Sequence, residues 1–173
     1  LIVDGRPLEK GETTVNRRPV LQPTLDIVSI GAGGGSIAWL DDEGGLRVGP
    51  KSAEADPGPA CFGLGGTAPT VTDAQVVLGY LDPGYYLGKR MTLDYAAAER
   101  AIGDRIAAPL KLSLRDAALG IVRIAASNMA NAIRNITIER GHDPRGFSLA
   151  CFGGGGGLFA GFLLDELEMP RAI

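Results

Sequence analysis

The sequence predicts an α/β fold, and three observations lead to that prediction. Short apolar segments separated by turn residues fill residues 1–50 and indicate β hairpins. An apolar stripe at three- and four-residue steps between residues 114 and 136 indicates one helix of about 27 residues. Residues 146–173 contain a strand, a glycine run, a helix and the start of another strand, which is the pattern of a β-α-β unit.

The N-terminal part, residues 1–50, is predicted to be β-rich. Asp4-Gly5 is a strong hairpin signal, and the return strand is predicted at residues 13–16. Residues 24–30, with the sequence TLDIVSI, are predicted as a further strand. Residues 37–50, with the sequence IAWLDDEGGLRVGP, are predicted as a second hairpin that turns at Asp-Asp-Glu-Gly-Gly.

The rest of the chain is predicted as a loop followed by helices. Residues 51–71 are rich in proline and glycine, and an ordered loop of this length inside a compact domain is usually functional. Residues 72–173 are predicted to be helical and to end in the β-α-β unit. Thr72 is predicted to cap a short first helix, and Ser113 with Asp116 resembles a capping box that starts the long helix.

Composition excludes several kinds of partner and site. The net charge is −3 and no basic cluster stands out, so neither nucleic acid nor a membrane is expected as a main partner. The single histidine, His142, and the separated cysteines Cys61 and Cys151 have no metal-ligand spacing, so no metal site is predicted. The sequence has neither a signal peptide nor an apolar run of about 18 residues, which predicts a cytoplasmic protein.

The chain is expected to be one partial domain over residues 1–173, cut at both ends, because it starts at Leu1 and stops within an apolar run. Its 26 glycines cluster at residues 31–35, 63–66 and 153–157, which indicates local tasks for glycine and argues against a flexible linker.

Five consecutive glycines occupy residues 153–157, within CFGGGGGLFA. Glycine loses more backbone freedom on folding than any other residue, so such a run needs a reason. A glycine turn between a strand and a helix exposes N–H groups where the helix dipole favours phosphate, and it lets the backbone lie flat against a nucleoside. Tight helix–sheet packing is the alternative. The run matches neither the Rossmann nor the Walker pattern.

A second glycine segment, IGAGGGS, spans residues 30–36. It nearly fits G-x-G-x-x-G, but a strand-like sequence follows it, which argues against a dinucleotide site. The pattern indicates a bend where backbone approaches a substrate or a neighbouring domain, and a wide β-turn is the alternative. The residues predicted for this contact are Gly31, Gly33, Gly34, Gly35 and Ser36.

Three carboxylates are weak catalytic candidates, and no catalytic residue is otherwise predicted. Glu54 and Asp56 lie in a loop held by prolines, where they can bind a cation, orient a substrate or simply be solvated. Asp73 falls in the first turn of a predicted helix and stabilises the helix dipole there whatever else it does.

Three motifs together resemble the hydantoinase A/oxoprolinase family over nearly the whole chain: IGAGGGSIA, VGPKSAEADPGPACFGLGGTAPTVTDA and ERGHDPRGFSLACFGG. The resemblance implies a mixed-sheet, ribonuclease H-like lobe of the actin-like ATPase superfamily, which includes sugar kinases, Hsp70 and actin. It also implies ATP with Mg2+ as cofactor, a small cyclic amide as substrate and a hydantoinase B-type subunit or domain as partner. In such enzymes ATP is thought to phosphorylate the carbonyl oxygen of the substrate.

The resemblance also assigns residues to the nucleotide. The glycine run falls where the superfamily has its adenosine motif, and family members commonly have FGGAGPLHA there. This chain carries Gly155, Gly157 and Phe159 in place of that alanine, proline and histidine. The residues implied to lie along adenine and ribose are Phe152, Gly153, Gly154, Gly155, Gly156 and Gly157.

Two other functions remain open. The phosphate-binding loops of the D-x-G-G-T type do not occur in this sequence, so the 173 residues are expected to form one lobe of a split site that is inactive alone. One alternative is a subunit of an ATP-dependent acetone or acetophenone carboxylase. The other, motivated by Phe159, is a non-catalytic remnant or an interaction domain.

Overall fold

A computed structural model of the chain describes residues 1–15 and 18–173, and it has α/β architecture, as predicted. The strands are β1 (Ile2–Val3), β2 (Arg6–Pro7), β3 (Glu9–Lys10), β4 (Thr13–Val15), β5 (Arg18–Val20), β6 (Thr24–Leu25), β7 (Ser36–Leu40) and β8 (Leu46–Ser52). The α-helices are α1 (Val71–Val77), α2 (Tyr95–Ile102), α3 (Ala108–Leu110), α4 (Leu114–Thr137), α5 (Gly153–Gly156) and α6 (Ala160–Leu167). None of the helices in these ranges is both long and apolar enough to cross a membrane.

The predicted turn at Asp4-Gly5 is confirmed, since both residues have positive φ and join the antiparallel pair β1–β2. The predicted return strand is wrong, because it is β2 that pairs with β1. Within residues 13–16, β4 pairs with β5 instead, and Asn16 lies outside the described residues.

The predicted strand over residues 24–30 is much shorter in the structure. Only β6 pairs, antiparallel to β3, and the N–H of Asp26 still donates to the carbonyl of Leu8. Beyond it, residues 27–30 have no strand partner among the residues described, and the side chain of Ile27 is 65% exposed. Apolar alternation was present, but a strand also needs a neighbouring backbone to pair with.

The second predicted hairpin is confirmed as the antiparallel pair β7–β8. Asp41 fixes its turn, because Oδ1 accepts hydrogen bonds from the N–H groups of Gly45 at 2.7 Å and Glu43 at 3.2 Å. Oδ2 accepts from Nε of Arg47 at 2.7 Å, and this bond holds the pKa of the Asp41 carboxyl below its usual value.

Helix α4 is the centre of the core and packs against α1, α6 and β8. Ser113 is its N-cap, as predicted: Ser113 Oγ accepts from the N–H of Asp116 at 3.1 Å and donates to Asp116 Oδ2 at 2.6 Å. The second bond of a capping box, from the N–H of Ser113 to the Asp116 side chain, is absent among the described residues, and a complete box occurs instead at Thr70 and Asp73. Small side chains on its buried face let the neighbouring elements approach closely. The buried residues of this face are Ala117, Ala118, Ile121, Val122, Ala125, Ala126 and Ala130.

Helix α1 begins earlier than predicted. Its N-cap is Thr70 and not Thr72, and the side chain of Thr70 accepts from the N–H of Asp73. Thr72 lies instead within the first turn, where it is buried.

At the C-terminal end, the two strands of the predicted β-α-β unit are reduced to an isolated parallel bridge on either side of α5 and α6. Residues 149–151 run parallel to residues 171–173, with hydrogen bonds from Leu149 N to Arg171 O at 3.0 Å and from Cys151 N to Ile173 O at 2.7 Å. The predicted strand at residues 146–152 is partly exposed and not fully buried. Within the described ranges, 1–15 and 18–173, this segment pairs along one edge only, so its other edge is uncovered. Phe152, at its end, is 87% exposed.

The glycine run is helical, which differs from the predicted glycine turn. Only Gly153 has a positive φ, of 77°, and it makes the reversal by itself. Gly153–Gly156 then form α5, and a 3-10 turn at Gly157–Phe159 leads directly into α6. A single left-handed residue is therefore enough to turn the chain, and the other glycines need a different explanation.

Candidate functional site

The two glycine segments meet at one cavity of about 530 Å³, which we call the glycine cavity. Gly34 and Gly35 line one part of it, and Gly154 and Gly155 line another. The sequence analysis treated these segments as separate sites about 120 residues apart in the chain. Other lining residues are the polar Glu54, Thr72 and Gln75 and the apolar Phe62, Tyr86 and Leu158.

The first glycine segment is tied closely to its surroundings. The carbonyl of Gly34 accepts from the N–H of Thr72, and that of Gly35 accepts from the N–H of Ala53, both at 2.8 Å. A Cβ added at Gly34 would lie 2.5 Å from Thr72 Oγ1, and one added at Gly35 would lie 2.8 Å from Ser52 Oγ. A side chain at either position would therefore force Thr72 or Ser52 to shift.

The remaining residues of this segment are less constrained. The N–H of Gly33 donates to Ser36 Oγ at 3.0 Å, and the N–H of Ser36 donates back to the carbonyl of Gly33 at the same distance. A Cβ at Gly31 would make only an ordinary contact, 3.8 Å from the carbonyl of Pro50, and one at Gly33 would meet nothing within 4 Å. Only Gly34 and Gly35 of the predicted contact residues line the glycine cavity.

The five-glycine segment behaves in the opposite way. A Cβ added at Gly154, Gly155 or Gly157 would meet no heavy atom within 4 Å among the described residues. At Gly156 it would make only an ordinary contact, 3.8 Å from the carbonyl carbon of Cys151. Contacts within the chain thus give no reason for glycine at these positions, which weakens the alternative of tight helix–sheet packing.

Phe152 and Phe159 flank the five-glycine segment in different environments. The ring of Phe152 is 87% exposed, while that of Phe159 is 3% exposed and packs in the main hydrophobic core. Neither ring lines the glycine cavity, which Leu158 borders instead. Phe159 therefore serves the core and does not fill the cavity.

Asp73 holds the loop before α1 and is fully buried, with 0% exposure. Its carboxylate accepts from the N–H groups of Ala60, Cys61 and Thr70 and from the hydroxyl of Thr70, at distances from 2.7 to 3.2 Å. Burial, together with the nearby Asp73 carboxylate, raises the pKa of the Cys61 thiol far above its usual value. Cys61 is therefore a buried thiol and not a nucleophile.

The other two candidate carboxylates lie on the exposed loop. Glu54 lines the glycine cavity and has a left-handed backbone, with φ of 57°, and its N–H donates to Ser52 Oγ at 3.0 Å. Asp56 is exposed and is not part of the cavity wall. The structure therefore brings Glu54, but not Asp56, to the two glycine segments.

Gln75 is a cavity residue that sequence reasoning missed. It lies in α1, it is 3% exposed, and its Nε2 has no hydrogen-bond partner in the part of the chain that the structure describes. The available signal was a single amide side chain within VTDAQVV, a helical segment whose residues from Val71 to Val76 are all buried.

A second cavity, of about 490 Å³, lies near the end of α4. Its charged groups pair with one another: Arg134 with Glu166 at 3.2 Å, and Arg145 with Asp143 at 2.7 Å. No group of three potential metal ligands occurs within the described ranges 1–15 and 18–173. The glycine cavity is therefore the stronger candidate for ligand binding.

Comparison with known proteins defines the class of this α/β chain. The sequence profile of the hydantoinase/oxoprolinase family matches residues 1–173, and the chain belongs to that family. It is 51% identical over 150 residues to the acetophenone carboxylase gamma subunit of Aromatoleum aromaticum, covering 86% of this chain and 20% of that protein.

Two solved structures resemble the chain. One is a nucleotide-free acetone carboxylase from a study of ATP-dependent acetone carboxylation, with a TM-score of 0.86 and 30% identity over 97% of this chain and 24% of that one. The other is the ATP-dependent caprolactamase of Pseudomonas jessenii, with a TM-score of 0.76 and 48% identity over 87% of this chain and 21% of that one. The chain spans about a fifth of the length of three curated relatives that it matches.

Proposed function

We propose that this chain is part of the A-type subunit of an ATP-dependent enzyme that hydrolyses a small cyclic amide, and that the glycine cavity holds the adenosine end of ATP. One observation carries the proposal: Gly154 and Gly155 border a cavity although no described residue occupies the space that a side chain would need there. A ligand that lies against bare backbone explains glycine where packing does not.

The chemistry of the cavity fits a nucleoside. The first turn of a helix leaves its N–H groups without intrahelical acceptors, and α5 begins with such a turn made of glycine. Phe62, Tyr86 and Leu158 provide apolar wall for a purine ring, and Glu54 and Thr72 provide polar groups at the same cavity. This combination of apolar surface and few polar groups is typical of small-molecule sites.

The proposal extends to the rest of the enzyme. Residues 1–173 would be one partial domain, a lobe of an actin-like ATPase, and the phosphates with Mg2+ would be held by residues beyond this chain. ATP would supply a phosphoryl group that activates the carbonyl of the cyclic amide. A hydantoinase B-type subunit or domain would complete the enzyme, and this chain would be inactive without those parts.

Calorimetric titration with ADP tests the nucleotide site, using the full-length protein that contains this chain. We expect heat of binding from the unmodified protein and none from Gly155→Val, because the branched side chain would fill space at the cavity wall. Gly161→Val is the matched control: Gly161 is also a helical glycine with no atom within 4 Å of an added Cβ, but it does not line the cavity. Equal affinity in Gly155→Val would overturn the proposal, and no heat from the unmodified protein would favour a non-catalytic remnant.

A carboxylase subunit is the second candidate, favoured by the similarity to the acetophenone carboxylase gamma subunit and to the acetone carboxylase structure. The nucleotide site would be the same, and the reaction would differ. ATP turnover measured with a lactam alone and with a ketone plus bicarbonate separates the two. Turnover only with ketone and bicarbonate would replace the hydrolase proposal by the carboxylase.

A further inference from the structure

We infer that a small anion binds, through a carboxylate or phosphate group, in a cavity between the loop before α1 and the helical segment that begins with α2. This cavity, which we call the arginine cavity, has a volume of about 260 Å³ and shares no lining residue with the glycine cavity. Arg100, Asp104 and Arg105 line it from the helical side, and Gly66 and Thr67 line it from the loop. The inference goes beyond the proposed function and does not depend on the nucleotide site.

Two arginines at this cavity have no carboxylate partner. Neither Arg100 nor Arg105 forms an ion pair within the described ranges 1–15 and 18–173. The cavity near the end of α4 differs, because its Arg134 and Arg145 both pair with carboxylates. Asp104 is the one carboxylate among the residues that line the arginine cavity, so this wall keeps a net positive charge. Like charges at one small cavity repel each other, and an anion between them replaces that repulsion by attraction.

The guanidinium of Arg105 is already positioned at the loop. Its Nη2 donates to Thr67 Oγ1 at 3.2 Å. The preceding residue, Gly66, is packed closely, since a Cβ added there would clash with the carbonyl oxygen of Gly58. A guanidinium carries five N–H donors, so most of those of Arg105 remain available to a ligand after the bond to Thr67.

The helical side of the cavity contains an irregular turn. After α2, Gly103–Ala107 form a π turn. Such turns are rare, occur mostly as single turns inside α-helices and are frequent at functional sites. This one contains Asp104 and Arg105, which line the cavity together with Arg100 from α2. The irregularity therefore coincides with the charged part of the cavity wall.

Carboxylate and phosphate groups match this wall chemically. A guanidinium is planar and presents its N–H groups as a fork that fits two oxygens of either group. Hydrogen bonds between ionised partners are also shorter and stronger than those between neutral ones. Two arginines that are only solvated are the alternative, and binding measurements separate the two cases.

Calorimetric titrations with inorganic phosphate and with acetate test the inference, in the full-length protein that contains this chain and at constant ionic strength set by chloride. We expect the unmodified protein to bind at least one of the two anions. Arg100→Gln and Arg105→Gln should each weaken that binding about ten-fold, because a charged hydrogen-bond donor is lost. Tighter binding of phosphate would assign the site to a phosphate group, and tighter binding of acetate would assign it to a carboxylate.

Arg123→Gln is the matched control. Arg123 is also an exposed helical arginine without an ion pair among the described residues, but it does not line the arginine cavity. This variant should bind the anion as the unmodified protein does. All three variants should keep the thermal midpoint measured without the anion, because the replaced side chains are exposed.

Three results would overturn the inference. The first is that the unmodified protein binds neither anion, which would leave the arginines solvated. The second is unchanged affinity in both Arg100→Gln and Arg105→Gln. The third is an equal loss of affinity in these variants and in Arg123→Gln, which would reflect the overall charge of the protein and not a site.

The same titrations with excess ADP separate the arginine cavity from the proposed nucleotide site. Anion binding that ADP leaves unchanged supports a separate site. Displacement of the anion by ADP would place the anion at the nucleotide and overturn the inference. If the full-length protein does not bind ADP, the proposed nucleotide site fails, while a loss of anion binding confined to Arg100→Gln and Arg105→Gln still supports the arginine cavity.

Discussion

Two glycine segments border the same cavity for different physical reasons. At Gly34 and Gly35 the chain itself occupies the space that a side chain would need, since Thr72 Oγ1 and Ser52 Oγ lie within 3 Å of an added Cβ. At Gly154 and Gly155 that space is open. The comparison teaches that a glycine motif has to be judged by its surroundings, because contacts within the fold limit Gly34 and Gly35, whereas a ligand at Gly154 and Gly155 stays a proposal.

The largest expected effect is at Asp73, whose carboxylate holds the loop before α1, the helix that bonds to Gly34 through the N–H of Thr72. Asp73→Ala should lower the free energy of unfolding by about 3 kcal/mol or more, because several buried donors lose one acceptor together. Asp94→Ala is the control, since Asp94 is an exposed N-cap that accepts one bond, from the N–H of Ala97 at 2.9 Å. It should cost only about 1 kcal/mol. Urea denaturation followed by Trp39 fluorescence measures both, and equal losses would contradict the role given to Asp73.

The next effect distinguishes the two segments directly. Gly34→Ala should lower the free energy of unfolding by about 1–3 kcal/mol, because the new methyl group overpacks against Thr72. Thr72 is β-branched and lies in a helix, so its side chain has little freedom to move away. The same denaturation experiment tests this, and an unchanged midpoint would show that the first segment is as free as the second.

The smallest effect has the opposite sign. Gly154→Ala should raise the free energy of unfolding by about 0.5–1 kcal/mol, because alanine favours the helical backbone and meets no atom. ADP should nevertheless bind more weakly, since the methyl group enters the cavity. Greater stability together with weaker binding is the signature expected of a glycine kept for a ligand. Unchanged binding would leave this glycine without a function.

Elements with short-range signals could be predicted from the sequence. Ser113 and Asp116 lie three residues apart, and the Ser113 side chain caps α4 as expected by accepting from the N–H of Asp116. The turn at Asp41 and the β-α-β connection depend likewise on neighbouring residues and on the simple rule that sequential elements pack together. The glycine run was expected to form a turn, but it forms the first turn of a helix, and its contact with a nucleotide stays a prediction.

Features that depend on distant partners could not be predicted. Residues 27–30 have a strand-like sequence, but pairing depends on a second backbone that no local pattern shows. Asp73 was expected to stabilise a helix dipole and was a weak catalytic candidate. Its bonds to Ala60 and Cys61 could not be predicted, because they cross a loop of more than ten residues. No local pattern shows that Gly34 and Gly154, far apart in the chain, line the same cavity. The unpaired amide of Gln75 can likewise be seen only in the folded structure.

The all-glycine first turn of α5 has a consequence for ligand approach. A side chain limits how closely a ligand can approach the main chain, and glycine removes that limit. If the proposed nucleoside lies here, backbone N–H and C=O groups would meet it on one side, and side chains on the α1 side of the cavity would meet it from across. Substitutions in two separate parts of the molecule would then alter binding independently.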